Sequence, residues 1–148
     1  MEIVKATKKD VQELLEIEIE AFKDTNEARE EKDILYEIFE NPFSTFLVLK
    51  DNDRILGFIN YWVTFDSATI NQIATRIEAR KKGIATKLLI ECENRIKQEN
   101  VEFLTLEVRK NNEPAKNLYL KFGFTQVTVK EKYYEDGEDA IYMVKGEI

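Results

Sequence analysis

The sequence predicts an α/β fold, with residues 1–148 forming a single domain in which helices cover both faces of a mixed, mostly antiparallel sheet. Its 148 residues are enough for one domain with a substantial core. Short β-rich runs alternate with apolar patterns of helical period along the chain. A strand, a helix and a second strand follow one another between residues 68 and 108. Because such a unit makes a right-handed crossover, it predicts a parallel pair of strands at the centre of the sheet.

Two helices are predicted in the first third of the chain. Thr7, with Asp10 three positions later, is typical of a helix N-cap. Apolar residues at helical spacing then predict a helix to about Lys23 and a second helix that ends before Pro42. We interpret the acidic stretch 24–33 between them either as a solvated loop or as a lip of a substrate site.

Seven runs predict strands, and turn residues separate neighbouring runs. Asp51-Asn52-Asp53 and Asp136-Gly137 are typical turn sequences. The predicted strands cover residues 2–6, 45–49, 55–63, 68–77, 101–108, 124–132 and 140–145.

Two further helices are predicted in the second half of the chain. One opens at Gly83 and runs to about residue 98, and its apolar face includes Cys92. We interpret Cys92 as a buried structural thiol, since a nucleophilic cysteine needs an activating base. The other helix has a cap candidate at Asn112 and a glycine stop at Gly123.

The composition excludes several classes of protein and site. One cysteine and no histidine leave zinc, haem and serine–histidine chemistry without their usual ligands or base, so we expect no metal. A net charge of -7 argues against nucleic acid as a partner. No apolar run approaches the roughly 20 residues of a membrane-spanning helix, so we expect no membrane partner. The first residues have no signal-peptide profile, which favours a cytoplasmic protein.

A basic loop with one glycine opens directly into an apolar helical pattern, and we call residues 80–86 the anion cradle. Gly83 allows the backbone a close approach to a bound group, and the first helical turn leaves amide N–H groups free for phosphate. The Walker loop and the dinucleotide-binding fingerprint both need more glycines than this stretch has. Taken alone, the stretch is equally typical of an ordinary basic helix N-terminus.

Glu107 and Tyr119 are the candidates for acid–base chemistry. Glu107 lies near the end of an otherwise largely apolar strand, at the sheet edge where ligands of α/β proteins bind. A structural carboxylate paired with a nearby Lys or Arg is the alternative interpretation of Glu107. Tyr119 lies on an apolar helical face, where core packing is the simplest role, although a tyrosine beside a cleft can also donate a proton.

Several segments together resemble the GCN5-related N-acetyltransferase (GNAT) superfamily. Arg80-x-x-Gly83-x-Ala85 is similar to the pyrophosphate-binding signature of that superfamily. The carboxyl-terminal segments resemble the bacterial ribosomal-protein-alanine N-acetyltransferases (RimI) and N-terminal acetyltransferase catalytic subunits. These segments are Leu104-Thr105-Leu106-Glu107-Val108-Arg109, then Asn112, Ala115, Leu118-Tyr119, Phe122-Gly123-Phe124 and Tyr133-Tyr134-Glu135-Asp136-Gly137-Glu138-Asp139-Ala140.

The resemblance implies a GNAT-like domain whose parallel central strands are splayed to hold acetyl-CoA. It implies that Glu107 is the general base and that Tyr119 protonates the departing thiolate. The residues that it assigns to acetyl-CoA are Ile73, Ala74 and Thr75 beside the pantetheine arm, Arg80, Lys81, Lys82, Gly83, Ile84, Ala85 and Thr86 around the pyrophosphate, and Asn112 near the thioester. The residues that it assigns to the acceptor are Tyr133, Tyr134 and Asp136.

One departure from the family pattern concerns the exit of the strand before the anion cradle. Thr75 and residues 76–78 replace the usual Val-x-Pro, so we expect a less rigid exit there.

The function that the resemblance implies is direct acetyl transfer from acetyl-CoA to a primary amine, in particular the N-terminal α-amine of a ribosomal or other protein. Three alternatives stay open at this point: an acetyltransferase for small-molecule amines, a non-catalytic CoA-binding module, and a nucleotide-binding or scaffold protein.

Overall fold

The computed structural model describes residues 1–148 and contains one seven-stranded mixed sheet. The strands are β1 (Glu2–Lys5), β2 (Ser44–Asp51), β3 (Arg54–Thr64), β4 (Ser67–Thr75), β5 (Phe103–Arg109), β6 (Thr125–Lys130) and β7 (Ala140–Lys145). The helices are α1 (Val11–Phe22), α2 (Glu31–Leu35), α3 (Ile84–Lys97) and α4 (Glu113–Phe122). The predicted α/β fold is confirmed. No helix combines the length and the apolar character that a membrane crossing requires.

The strands run in the order β1-β2-β3-β4-β5-β7-β6, and only β4 and β5 pair in parallel. Helix α3 connects these two strands, as the crossover prediction requires. The side chains of α3 and α4 are buried on one face of the sheet, in a cluster that includes Leu88, Leu89 and Tyr119. The side chains of α1 and α2, including Leu14 and Ile34, form a second cluster.

Local capping residues explain where the helices begin and end. Asp10 accepts a hydrogen bond from the Thr7 amide at 2.8 Å before α1, and a 3-10 turn (Lys8–Asp10) leads into that helix. Asn112 caps α4 by accepting from the Ala115 amide at 3.2 Å. Gly123 ends α4 with φ of 108°, a conformation that glycine adopts at little cost.

Two strand predictions are too long at their carboxyl ends. Residues 76 and 77 were predicted to continue β4, but β4 ends at Thr75 because a 3-10 turn, Ile77–Ala79, starts there. The strand predicted to reach Lys132 ends at Lys130, and Lys132 has φ of 50°, which is incompatible with an extended strand.

Strand β6 forms one edge of the sheet and has an irregular ladder with β7. Gln126 pairs with Met143 and Thr128 with Tyr142, so Val127 is an extra residue in the edge strand. The side chain of Val127 is exposed to solvent.

Gly57 permits a close approach between the sheet and the start of α3. A Cβ atom at this position would lie 2.8 Å from the Ala74 carbonyl oxygen and 2.9 Å from Cγ2 of Ile84. Since Ile84 is the first residue of α3 and is buried, any side chain at position 57 would displace the start of that helix.

We therefore expect the Gly57→Ala variant to lose about 1–3 kcal/mol of unfolding free energy, the usual cost of overpacking a core. Urea denaturation measures this loss. Gly146→Ala is the matched control, because a Cβ at position 146 meets only Phe103 at 3.6 Å, an ordinary contact. Equal stability of the two variants would contradict the interpretation.

Candidate active site

Strands β4 and β5 separate after three residue pairs, and the gap between them holds two connected cavities. Only Ser67, Ala68 and Thr69 of β4 pair with β5, at Phe103, Leu104 and Thr105. An outer groove of about 800 Å³ runs beside the start of α3, and an inner cavity of about 200 Å³ lies deeper between the strands. The two share the same side chains at their junction, namely Ala21, Phe22, Ile73, Asn112, Ala115 and Tyr119.

The anion cradle lies along the outer groove, at the amino-terminal end of α3. Gly83 has φ of 77° and accepts the first helical hydrogen bond, from the Lys87 amide at 3.0 Å. The amides of Ile84, Ala85 and Thr86 have no acceptor within the protein. Three adjacent free N–H groups at the positive end of a helix are suited to an anion such as phosphate.

The basic residues of the cradle differ in their placement. Arg80 and Lys81 line the outer groove, whereas Lys82 is exposed and lies outside the set of lining residues. Lys81 adopts a left-handed conformation with φ of 63°, which the sequence did not indicate.

The exit of β4 is held by buried contacts, contrary to the looser exit that we expected from the sequence. Arg76 is 3% exposed, and its guanidinium donates to the Ile55 carbonyl oxygen at 2.6 Å and to Glu13 at 3.0 Å. Its amide donates to the Leu56 carbonyl oxygen at 2.8 Å. The hydrogen bonds of Arg76 therefore restrict the backbone at the exit of β4, as the ring of a proline would. Ile73, Ala74 and Thr75, predicted beside the pantetheine arm, line the outer groove.

Glu107 lines the inner cavity but is not isolated in apolar surroundings. The ammonium of Lys130, in β6, lies 3.2 Å from the Glu107 carboxylate. The ion pair with a lysine or arginine, which was the alternative interpretation of Glu107, is therefore present. A hydrogen-bonding contact with the Glu107 carboxylate, more than burial, raises the pKa of Tyr133 to about 12. Glu107 is thus a carboxylate between a cavity on one side and a lysine and a tyrosine on the other.

Tyr119 lies where the two cavities meet. Its ring packs edge-on against Phe124 at 5.7 Å between ring centroids, which accounts for the predicted packing role. Burial raises the pKa of its hydroxyl. A phenol that keeps its proton at neutral pH, and has no hydrogen-bond partner within the protein, can donate that proton into the cavity.

The three residues predicted beside the acceptor are placed differently. Tyr134 lines the inner cavity. Tyr133 packs edge-on against Tyr134 at 5.1 Å and is half exposed. Asp136 points to Arg109, at 2.8 Å, rather than into the cavity.

The stretch 24–33, for which the sequence left a solvated loop and a lip as alternatives, contributes to the inner cavity, and we call it the lip. Thr25 and Glu27 line the inner cavity, which favours the lip over the solvated loop. The lip is anchored by Arg29, whose backbone amide and guanidinium both donate to the buried Glu18, at 2.8 and 3.0 Å. The same guanidinium donates to the buried Asn60 at 2.7 Å. The signal in the sequence is a polar Glu18 within an apolar helical face.

The comparisons with known proteins agree with this geometry. The model of the acetyltransferase (GNAT) family matches residues 11–124. The chain belongs to the GNAT family. The GNAT fold and the acetyltransferase activity predicted from the sequence are thereby confirmed.

Individual GNAT relatives are similar over most of the chain. A Bacillus subtilis protein, provisionally named a ribosomal protein bS18-alanine N-acetyltransferase, is 36% identical over 114 residues, 76% of each chain. An N-alpha-acetyltransferase of Saccharolobus solfataricus is 35% identical over 119 residues, 72% of this chain and 71% of the relative. The crystal structure of the Escherichia coli ribosomal-protein-S18-alanine N-acetyltransferase has a TM-score of 0.87 and 28% identity, covering 99% of this chain and 93% of the other.

Replacing Arg76 tests whether its hydrogen bonds hold the exit of β4 beside the outer groove. We expect Arg76→Met to lose about 1.5–3 kcal/mol of unfolding free energy, because Glu13 and the Ile55 carbonyl lose a charged donor. We also expect weaker binding of coenzyme A, measured by calorimetry, since β4 lines the groove.

The control for Arg76 is Arg54→Met. Arg54 pairs with Glu78 at the surface, where an ion pair adds little to stability. If both variants bind coenzyme A as the wild type does, the exit of β4 does not depend on Arg76.

Proposed function

We propose that this GNAT enzyme transfers the acetyl group of acetyl-CoA to the α-amine at the N-terminus of a protein, with ribosomal proteins as the first acceptors to test. The observation that carries the proposal is the junction of the two cavities, which has Tyr119 at the meeting point and Glu107 on the inner side. The names of the relatives support an α-amine acceptor on a protein. The inner cavity, which the lip and Tyr134 border, would receive the chain end.

The residues of the outer groove fit acetyl-CoA. The free amides of Ile84, Ala85 and Thr86 would hold the pyrophosphate, and Arg80 and Lys81 would add positive charge beside it. The edge of β4 at Ile73–Thr75, left without a parallel partner, would pair with the amide groups of the pantetheine arm. Asn112 would contact the same ligand near its thioester, with the part of its amide that does not cap α4.

Two residues transfer protons in the proposed reaction: Glu107 acts as the base and Tyr119 as the acid. Bound acetyl-CoA supplies an acetyl thioester that an amine can attack. Glu107 accepts a proton from the acceptor ammonium, directly or through a water molecule. Tyr119 donates its proton to the departing thiolate, which leaves as a thiol, and the second proton lost by the acceptor nitrogen restores the tyrosine hydroxyl. No residue of the chain forms a covalent intermediate, and positioning of the two substrates contributes most of the rate.

The contact between Lys130 and Glu107 has a place in this scheme. An acceptor ammonium that approaches Glu107 meets a carboxylate already paired with Lys130 at 3.2 Å. Because the side chain of Lys130 is 41% exposed, it can move into solvent when a second cation arrives.

We expect Glu107→Gln to lower kcat by about 10²–10⁴-fold, the usual contribution of a general base, because glutamine cannot accept the ammonium proton. Steady-state kinetics with acetyl-CoA and an acceptor peptide measures this loss, and calorimetry checks that coenzyme A still binds. Normal turnover by Glu107→Gln would remove Glu107 from the mechanism.

We expect Tyr119→Phe to lower kcat by about 10²-fold while the fold is kept, since the ring still packs on Phe124. Acetyl thioesters of different thiols test whether Tyr119 is the general acid. The fall in kcat should be smaller with a more acidic thiol, because its thiolate leaves without protonation. A loss that is the same for every thiol would contradict the assignment of Tyr119 as the acid.

The acceptor itself is identified by mass spectrometry of protein N-termini from a strain with and without the gene. Loss of the acetyl group from one ribosomal protein N-terminus supports the proposal. Acetylation of small amines in vitro, with no peptide accepted, would favour the small-molecule alternative.

A further inference from the structure

Arg109 lies where three separate segments of the chain meet beside the inner cavity. Its guanidinium is within 2.8 Å of Glu27 on the lip, 2.8 Å of Asp136 and 2.9 Å of Glu138. The guanidinium also lies over the ring of Tyr134, 4.1 Å from the ring centroid. Its side chain is only 11% exposed. One side chain therefore connects the lip, the end of β5 and the loop between β6 and β7.

Two of these partners form the wall of the inner cavity. Glu27 and Tyr134 both line it. The lip has other ties: Arg29 holds it to Glu18, and the carbonyl oxygen of Glu27 accepts from the Gln72 amide at 2.8 Å, but neither contact involves the Glu27 carboxylate. The position of the Glu27 side chain and the orientation of the Tyr134 ring thus both depend on the guanidinium of Arg109.

We propose that Arg109 is a positioning residue for the acceptor, which sets the lip and Tyr134 at the distance that the incoming chain end requires. The inference rests on the proposed function, since it assigns the acceptor side of that same site. Arg109 itself also lines the inner cavity, but its guanidinium is already occupied by three carboxylates and the Tyr134 ring, so we assign its action to Glu27 and Tyr134 rather than to the reacting atoms.

Only arginine can make this set of contacts at once. Its planar fork presents five N–H donors, enough for three carboxylates, while its face lies against an aromatic ring. Lysine keeps the charge but has a point-like ammonium without a flat face. Arg109→Lys should therefore preserve folding and lose part of the positioning, and Arg109→Gln should lose all of it.

The experiment measures steady-state kinetics with a synthetic peptide that has the N-terminal sequence of ribosomal protein bS18. We expect Arg109→Gln to raise the KM for the peptide by about tenfold or more, as for loss of one partner of a buried charge pair. Arg109→Lys should fall between Arg109→Gln and the wild type. We expect the KM for acetyl-CoA and the binding of coenzyme A to stay at their wild-type values, because Arg109 does not line the outer groove.

Glu27→Gln and the double variant separate positioning from stability. Glu27→Gln leaves Arg109 its other two carboxylates, so the protein should fold, and the KM for the peptide should rise. In the double variant Glu27→Gln/Arg109→Gln, the KM for the peptide should rise no further than in the more affected single variant, because both substitutions remove the same contact. If Arg109→Gln does not fold, Glu27→Gln and Arg109→Lys decide the question.

Arg95→Gln is the matched control. Arg95 pairs with Glu91 at 2.7 Å on α3, and neither residue lines the inner cavity or the outer groove. We expect wild-type kinetics from this variant.

The outcomes distinguish the inference from the proposed function. A wild-type enzyme that acetylates no peptide overturns both. A wild-type enzyme that acetylates the peptide, together with an unchanged peptide KM in Glu27→Gln and Arg109→Lys, overturns the role of Arg109 alone. A fall in kcat and in coenzyme A affinity, with no rise in peptide KM, would show that Arg109 only stabilises the fold.

Discussion

The separation of β4 and β5 is the constraint on which the rest of the molecule depends. The two strands pair for three residues and then diverge, so β4 presents backbone groups that the sheet does not satisfy. A buried edge of this kind is costly unless a ligand or another element covers it. Three features lie beside the unpaired end of β4. They are the close approach at Gly57, the buried guanidinium of Arg76 and the free amides at the start of α3. The outer groove therefore presents backbone groups from β4 and from the start of α3.

The inner cavity, which we propose as the acceptor side of the site, is built on a different physical basis. Ion pairs and aromatic contacts between distant segments hold it together, with Arg109 and Arg29 as the two buried cations. Each guanidinium has carboxylate partners and lies near aromatic rings, Tyr134 for Arg109 and Phe46 for Arg29. In our proposal the backbone groups of the outer groove serve the co-substrate, and the side chains around the inner cavity serve the acceptor.

The sequence predicted the features that local physics determines. Asn112 and Gly123 mark the ends of α4, and Gly83 marks the start of α3, because caps depend on residues a few positions apart. The seven strands and the parallel pair followed from periodicity and from the crossover rule. The candidate residues Glu107 and Tyr119 do line one cavity, but their roles as base and acid stay proposals. The contacts of Arg109 could not be predicted, since Glu27 lies 82 positions away in the chain. The partner of Glu107 was missed for the same reason, because Lys130 belongs to an edge strand whose register only the fold defines.

The irregular edge strand β6 has a consequence for solubility. Its outward row of backbone donors and acceptors is interrupted where Val127 is inserted, and that valine faces water. A second molecule could not extend the sheet here with a regular hydrogen-bond ladder, because the spacing breaks after two residues. The opposite border, β1, has only four residues. Both flanks of the molecule are therefore poor templates for fibrillar growth, and the acidic surface can keep the protein dispersed at high concentration.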